Sequence, residues 1–504
     1  MTTPTQVANS TLRCKIARDM ILGLNGKWFL NDRLVSSEGS PIEVVNPAYN
    51  QKIGHTPNCT RQEVDAAVDC AVAAFPAWAA HEAKDRAYTL GHCASIIRDN
   101  AVELAVLLAL ESGKAHRTEC VGEVNLLADI FTYFSSFGTE LKGKTVPFSR
   151  SVLAATTREP VGSVAGIIPW NMPLMFLGYK VAAPLIAGNT VVLKVPEIVP
   201  FTVLKIIEAI GALLPPGVVN AVVGYGADTG QMLVENRKIQ KVSFTGSVES
   251  GRKVYVTAAK NLKQVNLELG GKSPMLVLPD CDMHTAVYGA VSGIRFTRQA
   301  QSCTSSTRVY VPKERLDEFV EKTVCEAGKL KMGDPLDDAT DTGAIVSRAQ
   351  KQRIQGFIDR AIQGNQIPFI AGELPKTGGL EDGAFIQPHF FVDPPHDSEI
   401  VQKEVFGPVM CVFGYETLDE LVDKANDVEY GLSASIWGKD ISTCMHVSKK
   451  IEVGFVQINQ NAVMLPGLSY AGTKLSGFGS ETSLESMMQS FTREKTTIIN
   501  IGSL

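Results

Sequence analysis

The stretch from Arg298 to Arg308, RQAQSCTSSTR, sets one thiol, Cys303, among small and amide-bearing side chains. A thiolate is a strong nucleophile, and an aliphatic nest would raise its pKa and keep it inert. Small neighbours leave room for an electrophile and suit covalent catalysis. In NLELGGKSP, Glu268 closes an apolar strand, where desolvation should raise its pKa toward the range of a general base. The competing reading is a buried, paired structural acid. In IIPWNMP, Asn171 follows another apolar strand; its amide can donate to an oxyanion or cap the next helix.

Two further segments suit a nucleotide. KVSFTGSVESG places Gly246 and Gly251 around a strand-to-helix turn, where backbone N–H groups and the helix N-terminus favour phosphate. It is not the GxGxxG fingerprint, and a plain tight turn is the alternative. VVLKVPE ends in Lys194 and Glu197; a carboxylate there can accept ribose hydroxyls, or the two can form an exposed ion pair.

The elements that must carry these residues read as α/β. From about residue 161, apolar strands (162–168, 189–195, 218–224, 241–246, 264–269) alternate with helix-like segments (172–187, 201–214, 227–235, 247–261). That rhythm predicts a doubly wound parallel sheet, which binds ligands beyond the carboxyl ends of its strands. After Gly271 a second α/β pattern begins. Upstream, residues 24–54 read as short strands. Val64, Val68, Ala71, Val72, Phe75 and Trp78 share one helix face, and Asn100 with Glu103 resembles a capping box ahead of a helix that Gly113 ends. Residues 494–501, EKTTIINI, form a Thr/Ile-rich strand with no neighbour in sequence, suited to a sheet edge between subunits.

The bulk numbers bound the rest. A chain of 504 residues implies two or three domains. A net charge of −5 lacks the basic footprint of a nucleic-acid binder. The ten cysteines are scattered without a CxxC pair, which points to a reducing compartment and no zinc ribbon. No HExxH occurs, and the pair His389 and His396 flanks a Pro-containing loop, so no metal site is expected. No apolar run reaches membrane-spanning length. Residues 1–18 carry Arg13, Lys15 and Arg18 ahead of any acid; the reading is a disordered tail on a cytoplasmic protein, with a mitochondrial transit segment as the alternative.

Taken together, these motifs resemble the NAD(P)-dependent aldehyde dehydrogenase family over almost the whole chain. LNGKWF, VVNPA, IIPWNMPL, AGNTVVLKVPE, SFTGSVESG, NLELGGKSP, QAQSC, KEVFGPV, AGTKLSGFG and REKTTIINI match in order and spacing. The resemblance implies a Rossmann-like cofactor domain (1–138 and 161–271), a second α/β catalytic domain (272–475) and a small β oligomerisation arm (139–160 and 484–504). It implies NAD as cofactor, with NADP possible, a small-molecule aldehyde as substrate, and a homodimer or homotetramer that meets neither nucleic acid nor membrane.

It also assigns roles. Cys303 matches the nucleophile, Glu268 the general base, and Asn171 the oxyanion donor, working with the Cys303 N–H. Lys194 and Glu197 match the adenine-ribose contacts, Gly246 and Ser247 the pyrophosphate turn, and Glu404 and Phe406 the nicotinamide contacts; Ile168, Pro169, Trp170 and Leu269 complete that cofactor site. Lys180 and Glu481 match positions linked in some members to a proton path. By position, Met172, Met175, Phe176, Tyr179, Arg298, Thr304, Met464, Leu465 and Tyr470 surround the substrate, implying an apolar tunnel for a medium-chain aliphatic or aromatic aldehyde. The expected chemistry is thiolate attack, hydride loss to nicotinamide, and hydrolysis of the thioester by Glu268-activated water.

The sequence departs from the family pattern in places. Ala300 stands where glycine is usual, Ser480 where arginine is, and SYAGTK replaces PFGGxK, bringing Tyr470 and Ala471. Arg298 stands where many members have asparagine; it reads either as a receptor for a distal substrate carboxylate or as a loop-ordering ion pair. The alternatives are a CoA-acylating relative, disfavoured because Glu268 is present, and a thiol or serine hydrolase acting as an esterase, for which no GxSxG occurs.

Overall fold

The computed structural model describes residues 4–461 and 463–502. Its first sheet has eight strands, in the order Arg33–Ser36, Lys27–Leu30, Val219–Gly224, Thr190–Pro196, Ser163–Ile167, Lys241–Thr245, Gln264–Glu268 and Gly477–Phe478. The five strands from Val219–Gly224 to Gln264–Glu268 are parallel, and both flanks are antiparallel. Four of the five are buried along their whole length. Helices cover both faces, which is why these strands are near-continuous Val/Ile/Leu runs without alternation. The chain steps outward from Ser163–Ile167 to one side, then returns to place Lys241–Thr245 on the other. That reversal opens a crevice beyond the strands' carboxyl ends.

The second sheet has seven strands, ordered Phe369–Ile370, His389–Val392, Val409–Tyr415, Ser306–Pro312, Ser273–Val277, Ser433–Trp437 and Phe455–Ile458. All pairings are parallel except the first. A third, three-stranded sheet joins Thr492–Asn500 to Val152–Pro160 and Lys144–Ser149, all antiparallel. Its C-terminal strand is exposed along all but its first residue.

The helix Pro173–Ile186 ties the first sheet to the site. Pro173 opens it, where a missing N–H costs nothing. Every residue of this helix is buried, so its position is set by packing on all sides. Gly178 lies so close to Ile130 that an added Cβ would come within 2.9 Å of that side chain.

Three expectations are corrected. Residues 4–18 do not form a disordered tail: Pro4–Leu22 is helical, with Ala17 and Ile21 buried. Arg13 fixes it by donating to Leu336 O and Asp338 Oδ1, both at 2.8 Å, a partner invisible to local sequence; residues 1–3 lie outside the described residues. Val72 is exposed although its helix Arg61–Ala80 buries Val64, Ala67, Val68, Ala71 and Trp78. Asn100 makes no capping box. It is wedged between helices Ala83–Asp99 and Ala101–Ser112, and its amide turns back to Ile96 O at 2.7 Å. Among the described residues no helix is long and apolar enough to cross a membrane.

Candidate active site

Cys303 lies on the loop between the turn Phe296–Arg298 and the strand Ser306–Pro312. Two cavities meet at it. One, of about 180 Å³, is lined by Thr118, Glu119, Met172, Met175, Arg295, Arg298, Thr304, Met464 and Tyr470, among others. The other, of about 760 Å³, runs from Pro169 and Trp170 past residues 245–248 to Arg353, Glu404 and Phe406. Cys303, Asn171 and Phe176 line both, so the thiol can be approached from two sides at once.

The loop that presents the thiol is bent hard. Arg295, Gln299 and Ala300 all hold left-handed backbone, with φ of 61, 53 and 52°. Such residues cost on the order of 1–3 kcal/mol each and cluster where geometry matters more than stability. Gly270 and Gly271 allow the two sheets to close on this loop. An added Cβ at Gly271 would stand 2.3 Å from Cys303 O, and one at Gly270 2.3 Å from the Glu404 carboxylate.

Burial pushes the Cys303 thiol up to about 11, and the Glu404 charge adds to that effect. The expectation that small neighbours spare the thiol is therefore corrected: they open its approach, but the surrounding chain still withdraws it from water. The Tyr470 hydroxyl, 3.8 Å from Sγ, works the other way.

Glu268 ends the strand Gln264–Glu268, between Thr245 and Gly477 in register. It is only 4% exposed, and neither carboxylate oxygen has a hydrogen-bond partner among the described residues. The paired-acid alternative thus does not hold. Burial, then the charge of Glu481, raises its pKa well above the ordinary carboxylate range. It lines neither cavity, yet its charge reaches the thiol.

Asn171 follows the strand Ser163–Ile167 and does not cap the next helix, whose N-cap position is Met172 and whose Leu174 N–H donates to Glu123 instead. Its Nδ2 donates to Gln301 O at 3.1 Å, tying it to the nucleophile loop, while Lys114 Nζ holds its carbonyl at 3.0 Å. The second amide N–H remains available to a ligand.

On the larger cavity, Gly246, Ser247 and Val248 bring the N-terminus of helix Val248–Ala259 to the wall. Ser247 caps that helix, accepting from Ser250 N at 3.2 Å. Glu404 accepts from Gly271 N at 2.8 Å, and burial raises its pKa to about 7. Phe406, with φ 57°, sets its ring edge-on to Trp170 at 5.3 Å. Pro169 and Leu269 also line this cavity.

Other expected residues lie apart. Ile168, Lys194 and Glu197 are outside its lining, although the register sets Lys194 beside Ile167. Lys194 Nζ meets Glu197 at 2.9 Å, with the lysine buried. Tyr179 and Leu465 line a separate gap of about 10 Å³ with Met464 and Tyr470. Lys180 and Glu481 pair at 2.7 Å, both buried, and Ser243 bridges them.

The smaller cavity is not the apolar tunnel expected. Its wall carries two acids and two arginines beside the methionines. Arg298 Nε donates to Glu119 Oε2 at 2.7 Å, so this arginine takes the ion-pair reading. Sequence reasoning missed Glu119, Glu123 and Arg295. The only sequence signal was a second arginine upstream of Cys303, and its surroundings depend on Glu119 and Glu123, far away in the chain.

The chain matches the model of the aldehyde dehydrogenase family over residues 34–497. It is 32% identical to DhaS of Bacillus subtilis (strain 168), a provisionally assigned aldehyde dehydrogenase, over 98% of this chain and 99% of that one. Among solved structures, PnpE in complex with nicotinamide adenine dinucleotide is 34% identical. It covers 95% of this chain and 98% of its own, with a TM-score of 0.92. The NAD+ complex of aldehyde dehydrogenase from Bacillus cereus is 33% identical, covering 96% and 98%, with a TM-score of 0.91.

Proposed function

This chain belongs to the aldehyde dehydrogenase family, and we propose that it oxidises an aldehyde to the carboxylic acid with NAD through a covalent intermediate on Cys303. The observation that carries this reading is the thiol at the junction of two cavities, one sized for a small substrate and one for a dinucleotide. Glu404, Phe406 and Trp170 would hold the nicotinamide end, and Gly246 and Ser247 the pyrophosphate at the helix N-terminus. Leu269 and Pro169 complete the wall; Ile168, next to Pro169 in the chain, would contact the cofactor, and Lys194 with Glu197 would hold the adenine ribose. A carboxylate there favours the 2′-hydroxyl over a 2′-phosphate and hence NAD over NADP. When bound, the nicotinamide supplies the hydride acceptor.

The protein's own residues do the rest. The Cys303 thiolate attacks the aldehyde carbon, forming a C–S bond as the carbonyl π bond breaks, and the free N–H of Asn171 with the Cys303 backbone N–H holds the resulting alkoxide. Loss of hydride from that carbon leaves a thioester on Cys303. Glu268, buried and without a partner, takes a proton from water; the hydroxide adds to the thioester and the thiolate leaves. Lys180, Ser243 and Glu481 stand as a relay for that proton. We assign the cofactor role to the first sheet (1–138 and 161–271), catalysis to the second (272–475), and subunit contact to the three-stranded arm (139–160 and 484–504), placing the enzyme in the cytoplasm as a dimer or tetramer.

The test is NADH formation from a panel of aldehydes without CoA, with Cys303→Ala alongside. NADH matched one-for-one by carboxylic acid, and lost in the variant, supports the reading. Turnover only on adding CoA would replace hydrolysis with acyl transfer.

A further inference from the structure

Among the described residues, Arg295 is the one charged side chain on the wall of the small cavity with no hydrogen-bonded or ion-paired partner, and Glu119 reaches it only across space. The four others in or beside it are paired. Glu119 takes Arg298 at 2.7 Å and also the Thr297 hydroxyl at 2.5 Å. Glu123 takes Lys114 and, through its other oxygen, the N–H of Leu174 at 3.0 Å. These pairs sum to zero. The Arg295 side chain has no ion pair and no hydrogen bond among the described residues, and its Nε is fully buried without a partner. It shares the cavity with Cys303 and lies close enough to Tyr470 and the thiol to act on both electrostatically.

A guanidinium whose Nε is buried without a partner carries a desolvation cost, while its terminal nitrogens stay open to the cavity. Its backbone adds strain, since Arg295 sits in the left-handed region at φ 61° and ends the helix Met283–Ile294. A folded chain that tolerates both at the wall of a substrate cavity is set up for a ligand that supplies the missing anion. Arginine is suited to this, because its planar fork grips a carboxylate bidentately.

We propose that Arg295 is a specificity-determining residue, and that the substrate is an aldehyde carrying a carboxylate at its far end. This deepens the aldehyde dehydrogenase reading and rests on it. The cavity, about 180 Å³, is little larger than the 150 Å³ that holds a benzene. The substrate is therefore a short ω-oxo acid, of about four to six carbons by that comparison. Its aldehyde carbon reaches Cys303 while its carboxylate meets Arg295, and the methionines flank the methylenes between. Glu119 and Glu123 do not repel it, because each is already neutralised.

The test compares ω-oxo acids of four to six carbons with uncharged alkanals of equal length, in the wild type, Arg295→Met and Arg295→Lys. The inference expects the wild type to prefer the acid in kcat/KM by tenfold or more. Arg295→Met should lose that preference, mostly through KM, and Arg295→Lys should recover part of it. A second readout needs no turnover: the dicarboxylate product should slow iodoacetamide labelling of Cys303 in the wild type and not in Arg295→Met. Equal use of both substrates by the wild type, or an acid preference and labelling protection that both survive in Arg295→Met, would overturn it. Absence of NADH from every aldehyde, with dicarboxylate protection intact, would instead count against the oxidation reading and leave the anion site standing.

Discussion

The Cys303 sulfur lies 3.8 Å from the Tyr470 hydroxyl, the only side-chain hydrogen-bond partner of the thiol among the described residues. This contact opposes a thiol pKa that burial raises to about 11. The thiolate fraction is therefore small at neutral pH and grows with pH. Labelling of Cys303 by iodoacetamide, without ligands, should rise about tenfold per pH unit from 7 to 10. Tyr470→Phe removes a donor to the thiolate and should slow labelling several-fold at each pH. A plateau near pH 7, or faster labelling in Tyr470→Phe, would contradict this.

Glu268 exchanges stability for reactivity. Its folded pKa lies well above the unfolded value, because burial disfavours the charged form. Its contribution is thus favourable below the unfolded pKa and is lost as pH rises through the folded one. Glu268→Gln should melt higher than the wild type at pH 8 and lose that advantage at pH 4, while steady-state turnover falls by about 10²–10⁴-fold. A lower Tm for the variant at pH 8 would mean the carboxylate has a partner after all.

The pair Lys180–Glu481 is buried and tightly bonded. Breaking it alone leaves an uncompensated charge, so Glu481→Gln should cost about 3–5 kcal/mol in chemical denaturation. The double variant Lys180→Met with Glu481→Leu should regain most of that. Strictly additive losses would show that the two residues act independently.

Phe148 and Ile498 stand 73% and 67% exposed on the three-stranded arm. Apolar side chains of this size, displayed together on a sheet, fit a subunit contact. Wild-type protein should sediment as a dimer or tetramer, and Phe148→Glu with Ile498→Glu should shift it toward monomer. A monomeric wild type would remove the arm's assigned role.

Much of this was legible in the sequence, for physical reasons. Four of the five parallel strands are buried along their whole length, so they read as largely apolar runs, and Asn171 and Glu268 stand just past or at the end of two strands of this sheet. Cys303 stood out by the small size of its neighbours. Arg295 did not, because its significance is relational: Glu119, on a distant segment, pairs with Arg298 and leaves Arg295 alone. The N-terminal helix was missed for the same reason, since the partner of Arg13 is Asp338. Asn100 had the spacing of a cap, but two abutting helices gave its amide a nearer carbonyl. The high thiol pKa was also hidden, because burial by the whole fold outweighs the size of adjacent residues.

The central claim is that the oxidised substrate remains on Cys303 until Glu268 releases it. The most direct measurement is intact-protein and peptide mass spectrometry of Glu268→Gln after mixing with NAD and an oxidisable aldehyde, with NADH counted in the same sample. The expected result is a mass gain of one acyl group, located at Cys303, with one NADH per acylated subunit. NADH formed repeatedly with no acyl group on Cys303, or an acyl group on another residue, would contradict the account.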